Sequence, residues 1–124
     1  MIDIRNLSVT YSRMTSEGRG SSAAAVKNVS IAIRKGQFSA LAGESGSGKS
    51  TVLMAIPGLL PPGTAVSGEI LLDGKNLLTL PENELNRIRW RRIAIVPQGA
   101  MNSFTPVLTV GRHVEEVLSV HLGL

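Results

Sequence analysis

The chain has 124 residues, of which 43% are hydrophobic and 18% charged, values that suit one compact globular domain and exclude a disordered tail. It contains no cysteine, which excludes disulfides and thiolate–metal sites, and its formal charge of +4 is compatible with polyanionic nucleotides or acidic membrane surfaces without indicating either. No apolar run approaches the roughly 18 residues that cross a bilayer, and residues 1–5 lack the pattern of a signal peptide, so we expect a cytosolic protein.

The beginning of the chain predicts two strands joined by a loop. Residues 2–10 alternate apolar and polar side chains with one slip near Asn6, which predicts a strand with a bulge that Tyr11 closes. Residues 12–25 are rich in Ser, Gly and Ala and predict a mobile loop. Residues 26–34 alternate again, so we expect a second strand that ends in a Lys-Gly turn.

The next part of the chain predicts a strand, a glycine-rich loop and a helix. Residues 38–42 are almost wholly apolar, as in a strand that is buried on both faces. After the glycine-rich loop, residues 50–56 predict a helix. Pro57-Gly58 should break or kink this helix, because proline has no N–H to donate to the carbonyl one turn earlier. Residues 59–65 then predict a connector rich in Pro and Gly.

The remaining residues predict two strands and two helices. Residues 68–72 followed by Asp73-Gly74 predict a strand and a tight turn. Residues 81–89 predict a short helix with proline at its first position. Residues 93–96 predict another short apolar strand, and residues 110–122 predict a helix with one apolar face.

The glycine-rich loop gives the strongest indication of chemistry. It fits the G-x-x-x-x-G-K-[ST] pattern of phosphate-binding loops at every required position, and it stands between an apolar run and a helix-forming stretch, as such a loop requires. Glycines let the backbone curl until successive N–H groups point at one anion, and the helix that follows adds its own unpaired N–H groups. Lys49 would reach the β- and γ-phosphates, Ser50 would bind Mg²⁺, and Thr51 would lie near the α-phosphate. The predicted nucleotide-binding residues of the loop are Gly43, Glu44, Ser45, Gly46, Ser47, Gly48, Lys49, Ser50 and Thr51.

The order and spacing of motifs along the chain resemble an ABC transporter ATPase domain. The matching segments are residues 26–31, Gly36, the loop at 43–51, residues 67–70 with Asp73-Gly74, and Ile95-Val96-Pro97-Gln98, which is similar to that family's Q-loop. The resemblance implies an α/β P-loop NTPase fold of the ABC ATPase type, with an antiparallel β subdomain and the start of a parallel core sheet and of a helical subdomain. It also implies an ATP-binding core over residues 1–98 and the start of the helical subdomain over residues 99–124.

The same resemblance implies two further site residues. Gln98 would contact Mg²⁺ or the attacking water and report the nucleotide state to membrane subunits. Gln98 and Lys49 are therefore the predicted catalytic residues, and Ser50 and Gln98 the predicted Mg²⁺ ligands. Tyr11 matches the aromatic residue that stacks on adenine in this family. Each has a structural alternative, since Gln98 could be a plain loop residue and Tyr11 could merely finish an edge strand. The predicted cofactors are ATP and Mg²⁺.

Within the family, the sequence is most similar to the oligopeptide/dipeptide and nickel import group. The likeness lies in the sequence of the loop at 43–48 and in residues 101–110. It implies an ATP-binding, energy-coupling subunit for import of peptides or similar small solutes. Its partners would be a second ATPase subunit, transmembrane permease subunits and, indirectly, a solute-binding protein, which would place it on the inner face of the cell membrane. Two alternatives are an ABC protein not involved in transport and a truncated, non-catalytic nucleotide-binding module.

Two features limit the enzymatic prediction. The likeness covers roughly the first half of an ABC ATPase domain, and the sequence lacks the signature motif of the Leu-Ser-Gly-Gly-Gln type, the Asp-Glu strand end and the switch histidine. We therefore expect the parent polypeptide to be an ATPase and these 124 residues alone not to hydrolyse ATP.

The arginine cluster around Trp90, formed by the arginines at 87, 89, 91 and 92, suits either a basic nucleic-acid patch or a solvated helix end. We favour the helix end and expect no nucleic-acid partner.

Overall fold

A four-stranded antiparallel sheet organises the first part of the chain. In the computed structural model, which describes residues 1–14, 20–99 and 103–123, the chain divides into two units, Met1–Pro81 and Glu82–Leu124. The sheet belongs to the first unit, and its strands are β1 (Ile2–Met14), β2 (Gly20–Ile33), β3 (Ala65–Leu72) and β4 (Lys75–Asn76). They pair in the order β2-β1-β3-β4, each neighbouring pair antiparallel, so that β1 lies inside the sheet.

The bulge predicted near Asn6 is present in β1. The pairing register shifts between Ile4 and Leu7 against β2, and Asn6 has a φ of 49°. Two residues three positions apart would face opposite sides of a regular strand, but the extra residue of a bulge brings both to the same side. Ile4, Leu7 and Val9 are consequently buried, with 1% or less of each residue exposed. The break in the alternation therefore sets which side chains form the core.

The β1–β2 hairpin continues beyond the predicted strands. Residues 12–14 and 20–25, which we expected in a mobile loop, lie in β1 and β2, where Tyr11 pairs with Ala23 and Met14 pairs with Gly20. The loop prediction was wrong for these residues because small polar side chains show no alternation, whereas a ladder is held by backbone hydrogen bonds that need no apolar face. The rest of the predicted loop, residues 15–19, lies outside the described residues.

The helix after the glycine-rich loop ends just before Pro57, as the sequence predicts. This helix, α1, spans Lys49–Ala55. Beyond it the Gly58 N–H bonds the Ala55 carbonyl at 3.1 Å and the Leu59 N–H bonds the Met54 carbonyl at 2.9 Å, so the chain turns away. The residues of α1 that are buried are Thr51, Val52 and Ala55. Thr51 is thus buried in the first turn, next to the loop.

The predicted turn at Asp73-Gly74 joins β3 to β4. Asp73 and Gly74 have φ angles of 48° and 86°, as the two central residues of a primed hairpin turn require. A short 3₁₀ helix, Leu77–Thr79, follows β4. The Asn76 side chain caps it by accepting a hydrogen bond from the Leu78 N–H, so a polar group ends the sheet at this edge.

Two apolar runs do not form the strands that the sequence predicts. Residues 38–42 have no strand structure, and residues 93–96 have only an isolated bridge between Arg89 and Ile93. Phe38 is 96% exposed and Val96 88% exposed. A strand needs neighbours with which to exchange hydrogen bonds, and no other part of the described ranges forms a ladder with either run. The apolar composition was therefore insufficient to define a strand.

The second unit contains the two helices that the sequence predicts. They are α2 (Glu82–Ile88) and α3 (Val110–Leu122). The Thr109 side chain caps the start of α3 by accepting from the Arg112 N–H, and Gly123 ends it with a φ of 70°. No residue of α3 is buried, and Val110, Val114 and Leu118 of its predicted apolar face are exposed. Within residues 1–14, 20–99 and 103–123, no helix has the length and apolar character needed to cross a bilayer.

Candidate functional site

The glycine-rich loop is fixed against β2 at its second half. Gly46 and Gly48 have φ angles of 79° and 89°, which lie in the left-handed region that glycine adopts at little cost. A Cβ atom on Gly48 would lie 2.5 Å from the carbonyl oxygen of Ala25 in β2. Only glycine fits here without moving the strand. The same left-handed angles occur in backbone nests that bind anions, which fits the phosphate-binding role predicted for the loop.

The side chain of Lys49 folds back over the loop. Its Nζ atom donates hydrogen bonds to the carbonyl of Gly43 at 2.8 Å, to the carbonyl of Glu44, and to Oγ of Ser47 at 3.1 Å. The Ser47 N–H also bonds the Glu44 carbonyl at 3.3 Å and closes a turn. The ammonium group is therefore already positioned over the loop. A phosphate oxygen would compete with these neutral acceptors for its N–H groups, and a charged acceptor forms the stronger bond.

A pocket of about 260 Å³ brings Tyr11 together with the loop. It is lined by Tyr11, Ala25, Gly46, Ser47, Gly48, Lys49, Ser50 and Thr51. The hydroxyl of Tyr11 lies 3.1 Å from Oγ1 of Thr51, so β1 and α1 meet at the pocket wall. The tertiary structure thus joins two features that are 40 residues apart in sequence.

The first three loop residues are placed differently. Gly43, Glu44 and Ser45 are exposed and do not line the pocket. Gly43 and Glu44 contribute the carbonyl groups that hold Lys49. They therefore position the lysine, and their predicted direct contact with nucleotide stays a prediction.

Ser50 suits a magnesium ion that is held mainly by phosphates. Its side chain is an oxygen donor, the kind that Mg²⁺ prefers, and it lines the pocket beside Lys49. Among the described residues, no group of three or more His, Asp or Glu could hold a metal. In many nucleotide sites Mg²⁺ keeps several waters and is bound by one or two protein oxygens together with phosphate oxygens.

Gln98 belongs to the second unit, where it is exposed in the turn that follows Pro97. Its proposed contact with Mg²⁺ or water stays a prediction.

The segment at 101–110 is described from Ser103 onward, and residues 101 and 102 lie outside the described residues.

The arginine cluster around Trp90 is partly engaged within its own unit. Arg89 donates to the carboxylate of Glu82, and Arg91 donates to the carbonyl of His121. The ring of Trp90, which is 62% exposed, has its centroid 6.3 Å from that of His121. These bonds favour a structural interpretation of the cluster over a nucleic-acid surface.

Sequence reasoning missed one residue of the pocket. Ala25 contributes the backbone carbonyl that approaches Gly48, and it also lines the pocket. It was assigned to the mobile loop, because its stretch of small residues shows no alternation. A hairpin extended past Tyr11 would have placed Ala25 beside the phosphate loop.

The sequence is similar to a known protein family and to curated transport proteins. A family model described as "ABC transporter" matches residues 26–120. The chain is 43% identical over 98 residues to the dipeptide transport ATP-binding protein DppD of Caldanaerobacter subterraneus, covering 78% of this chain and 30% of that protein. It is 36% identical over 124 residues to the oligopeptide transport ATP-binding protein OppD of Escherichia coli, covering 100% of this chain and 35% of OppD. The chain thus spans about a third of the length of these relatives.

Solved structures show the same fold. The dimeric structure of MJ0796, a bacterial ABC transporter cassette, matches with a TM-score of 0.69 and 36% sequence identity, over 95% of this chain and 47% of the cassette. A second dimeric structure of that cassette, a post-hydrolysis state bound to ADP and Pi, matches with a TM-score of 0.58 and 24% identity, over 96% of this chain and 55% of the cassette. The second likeness supports the fold alone.

Proposed function

The chain belongs to the ABC transporter family, and we propose that it is the ATP-binding part of an energy-coupling subunit that imports peptides or similar small solutes. The observation that supports ATP binding most directly is the pocket that Tyr11 shares with residues 46–51 of the loop, with Lys49 already held over the loop. The peptide class is supported by the names of the relatives, which are dipeptide and oligopeptide transport proteins.

Each residue of the pocket would have a distinct task. The ammonium group of Lys49 would leave the loop carbonyls and bind the β- and γ-phosphates, while Tyr11 would stack on adenine. Mg²⁺, when bound, would neutralise charge on the phosphates, and Ser50 and Gln98 are the residues proposed to hold it. Gln98 would also orient the water and report the nucleotide state to the membrane subunits. Residues 1–98 would form the ATP-binding core, and residues 99–124 would begin the helical subdomain.

The proposed partners follow from the same family. A second ATPase subunit would complete the site, as the dimeric MJ0796 structure of 36% sequence identity suggests for this fold. Transmembrane permease subunits would hold the protein at the inner face of the cell membrane, and a solute-binding protein would act indirectly. The parent polypeptide would be an ATPase, and these 124 residues would bind nucleotide without hydrolysing it.

Replacing Lys49 by alanine tests the proposal. Removing a donor to a charged phosphate should weaken MgATP binding roughly 10- to 150-fold in isothermal titration calorimetry. In cells, the same variant should abolish uptake of a labelled dipeptide.

The matched control is Lys35→Ala, which removes an exposed lysine from the turn after β2. It should leave both readouts unchanged. Equal MgATP affinities for the two variants would disprove the nucleotide site, whereas lost binding with normal dipeptide uptake would disprove the peptide assignment alone.

A further inference from the structure

The hydroxyl groups of Tyr11 and Thr51 form a hydrogen bond at the wall of the phosphate pocket. Their oxygen atoms are 3.1 Å apart, and the contact is partly buried. Thr51 has 9% of its surface exposed and lies in the first turn of α1, while Tyr11 lies in β1 opposite Ala23. Among the described residues, neither hydroxyl has a second polar partner. Either hydroxyl can be the donor of this bond, which holds Thr51 Oγ1 next to the Tyr11 hydroxyl.

A bound phosphate would decide which of the two hydroxyls donates to the other, because either can do so in its absence. A threonine hydroxyl has one proton to donate and lone pairs that accept, and so does a tyrosine hydroxyl. A phosphate oxygen that carries charge only accepts. If Thr51 donates its single proton to a phosphate, its lone pairs remain for a donor, and the Tyr11 hydroxyl is within reach. The three groups then form a chain in which each hydrogen bond strengthens the next.

We propose that Tyr11 is a positioning residue for phosphate, which donates its hydroxyl proton to Thr51 Oγ1 and so directs the Thr51 O–H toward the bound anion. This inference rests on the proposed nucleotide site and assigns Tyr11 a second task there, distinct from stacking on a base. Without Tyr11, the Thr51 hydroxyl would turn back to a backbone carbonyl three or four residues earlier in the chain, as threonine commonly does. The phosphate would then lose a donor that is already aimed.

Stacking and positioning use different parts of Tyr11. Tyr11 also lines a second pocket, of about 440 Å³, together with Ser12, Ser21 and Ala23. Tyr11 therefore borders open space besides the phosphate pocket, and a base could stack on its ring there while the hydroxyl keeps its bond to Thr51. A ligand with phosphates and no base should consequently detect the hydroxyl and not the ring.

The test uses Tyr11→Phe, which keeps the ring and removes the hydroxyl, in the full-length protein. The probe is inorganic tripolyphosphate with Mg²⁺, measured by titration calorimetry beside MgATP. We expect both ligands to bind about two- to tenfold more weakly, by the same factor, because one hydrogen bond is lost. An unchanged tripolyphosphate affinity would leave Tyr11 with stacking alone and overturn the inference. Tighter binding would also overturn it, because it would mean that the Tyr11 hydroxyl competes with the phosphate for the Thr51 proton.

A double-mutant cycle with Thr51→Val separates positioning from a general loss of structure. Once Thr51 lacks its hydroxyl, adding Tyr11→Phe should cause no further loss of tripolyphosphate affinity. With the conservative Thr51→Ser variant, Tyr11→Phe should again weaken binding. Additive losses in the cycle would contradict the chain of hydrogen bonds. A wild-type protein that binds neither ligand would overturn the proposed function itself, whereas normal wild-type binding with an unchanged Tyr11→Phe variant would overturn only this inference.

Discussion

The antiparallel sheet and the apolar runs at 38–42 and 93–96 contain similar side chains but differ in burial. In the sheet, Leu7 is completely buried, whereas in the two runs Phe38 and Val96 are 96% and 88% exposed. The sheet strand β1 has a partner at each edge, and within the described residues neither run has a ladder partner. Burial of apolar surface, rather than its presence, provides the stabilisation.

This difference in burial bears on the phosphate loop, because the loop is connected to an exposed apolar run at its start and lies close to the sheet at its second half. At its second half the loop is held by Gly48, which lies close to β2, and by α1, in whose first turn Thr51 is buried. At its start the loop follows the exposed run at 38–42. The half of the loop that lines the pocket is thus the half that the sheet supports.

The largest expected effect comes from placing a side chain in the bulge of the sheet. Gly68 has a φ of 99°, and a Cβ there would lie 2.5 Å from the Asn6 carbonyl oxygen and 2.6 Å from that of Arg5. Backbone strain and overpacking together should lower the free energy of unfolding of Gly68→Ala by roughly 2–6 kcal/mol, measured by denaturant titration.

Gly36→Ala is the matched control from the turn before the exposed run. Its φ of 76° is also left-handed, but a Cβ there would contact nothing within 4 Å. It should cost only about 1–2 kcal/mol of conformational strain. Equal losses for the two variants would mean that the sheet does not pack at Gly68 as described.

A smaller loss of stability is expected when a buried apolar side chain is removed, and almost none when an exposed one is removed. Leu7→Ala removes a buried side chain from β1 and should lower the free energy of unfolding by about 2–5 kcal/mol. Phe38→Ala removes a larger but exposed side chain and should change it by no more than about 0.5 kcal/mol. Denaturant titration of both variants measures the difference. A Phe38→Ala loss as large as that of Leu7→Ala would show that Phe38 is buried in solution, and the comparison would fail.

Local signals predicted most of the fold. The slip at Asn6, the proline at 57 and the Asp73-Gly74 pair each act within a few residues, and the bulge, the helix end and the turn are confirmed. The resemblance to the ABC transporter family and the P-loop NTPase fold are also confirmed. The strands expected at 38–42 and 93–96 depended on distant neighbours that composition does not reveal, and the longer hairpin depended on backbone pairing.

The residues of the candidate site also divide into those that a local motif predicts and those that only the fold brings together. The loop at 43–51 was found because its motif is continuous in sequence. The bond between Tyr11 and Thr51 requires the sheet to bring β1 against α1, so no local pattern predicts it. Ala25 was missed for the same reason, since its contact with Gly48 exists only in the folded hairpin.

The smallest effect is expected at the edge of the sheet, where a polar side chain, that of Asn76, contributes hydrogen bonds instead of apolar burial. Oδ1 of Asn76 accepts hydrogen bonds from the Ile70 N–H at 3.2 Å and from the Leu78 N–H at 3.1 Å, which ties β3 to the 3₁₀ helix. Asn76→Ala removes this acceptor and with it both hydrogen bonds, and should lower the free energy of unfolding by about 1–2 kcal/mol. Asn76→Asp keeps an oxygen at the same position and should lose clearly less in the same denaturant titration. If the alanine variant were as stable as wild type, the edge would be held by packing alone, and the polar cap would add nothing to the order that distinguishes the sheet from the exposed runs.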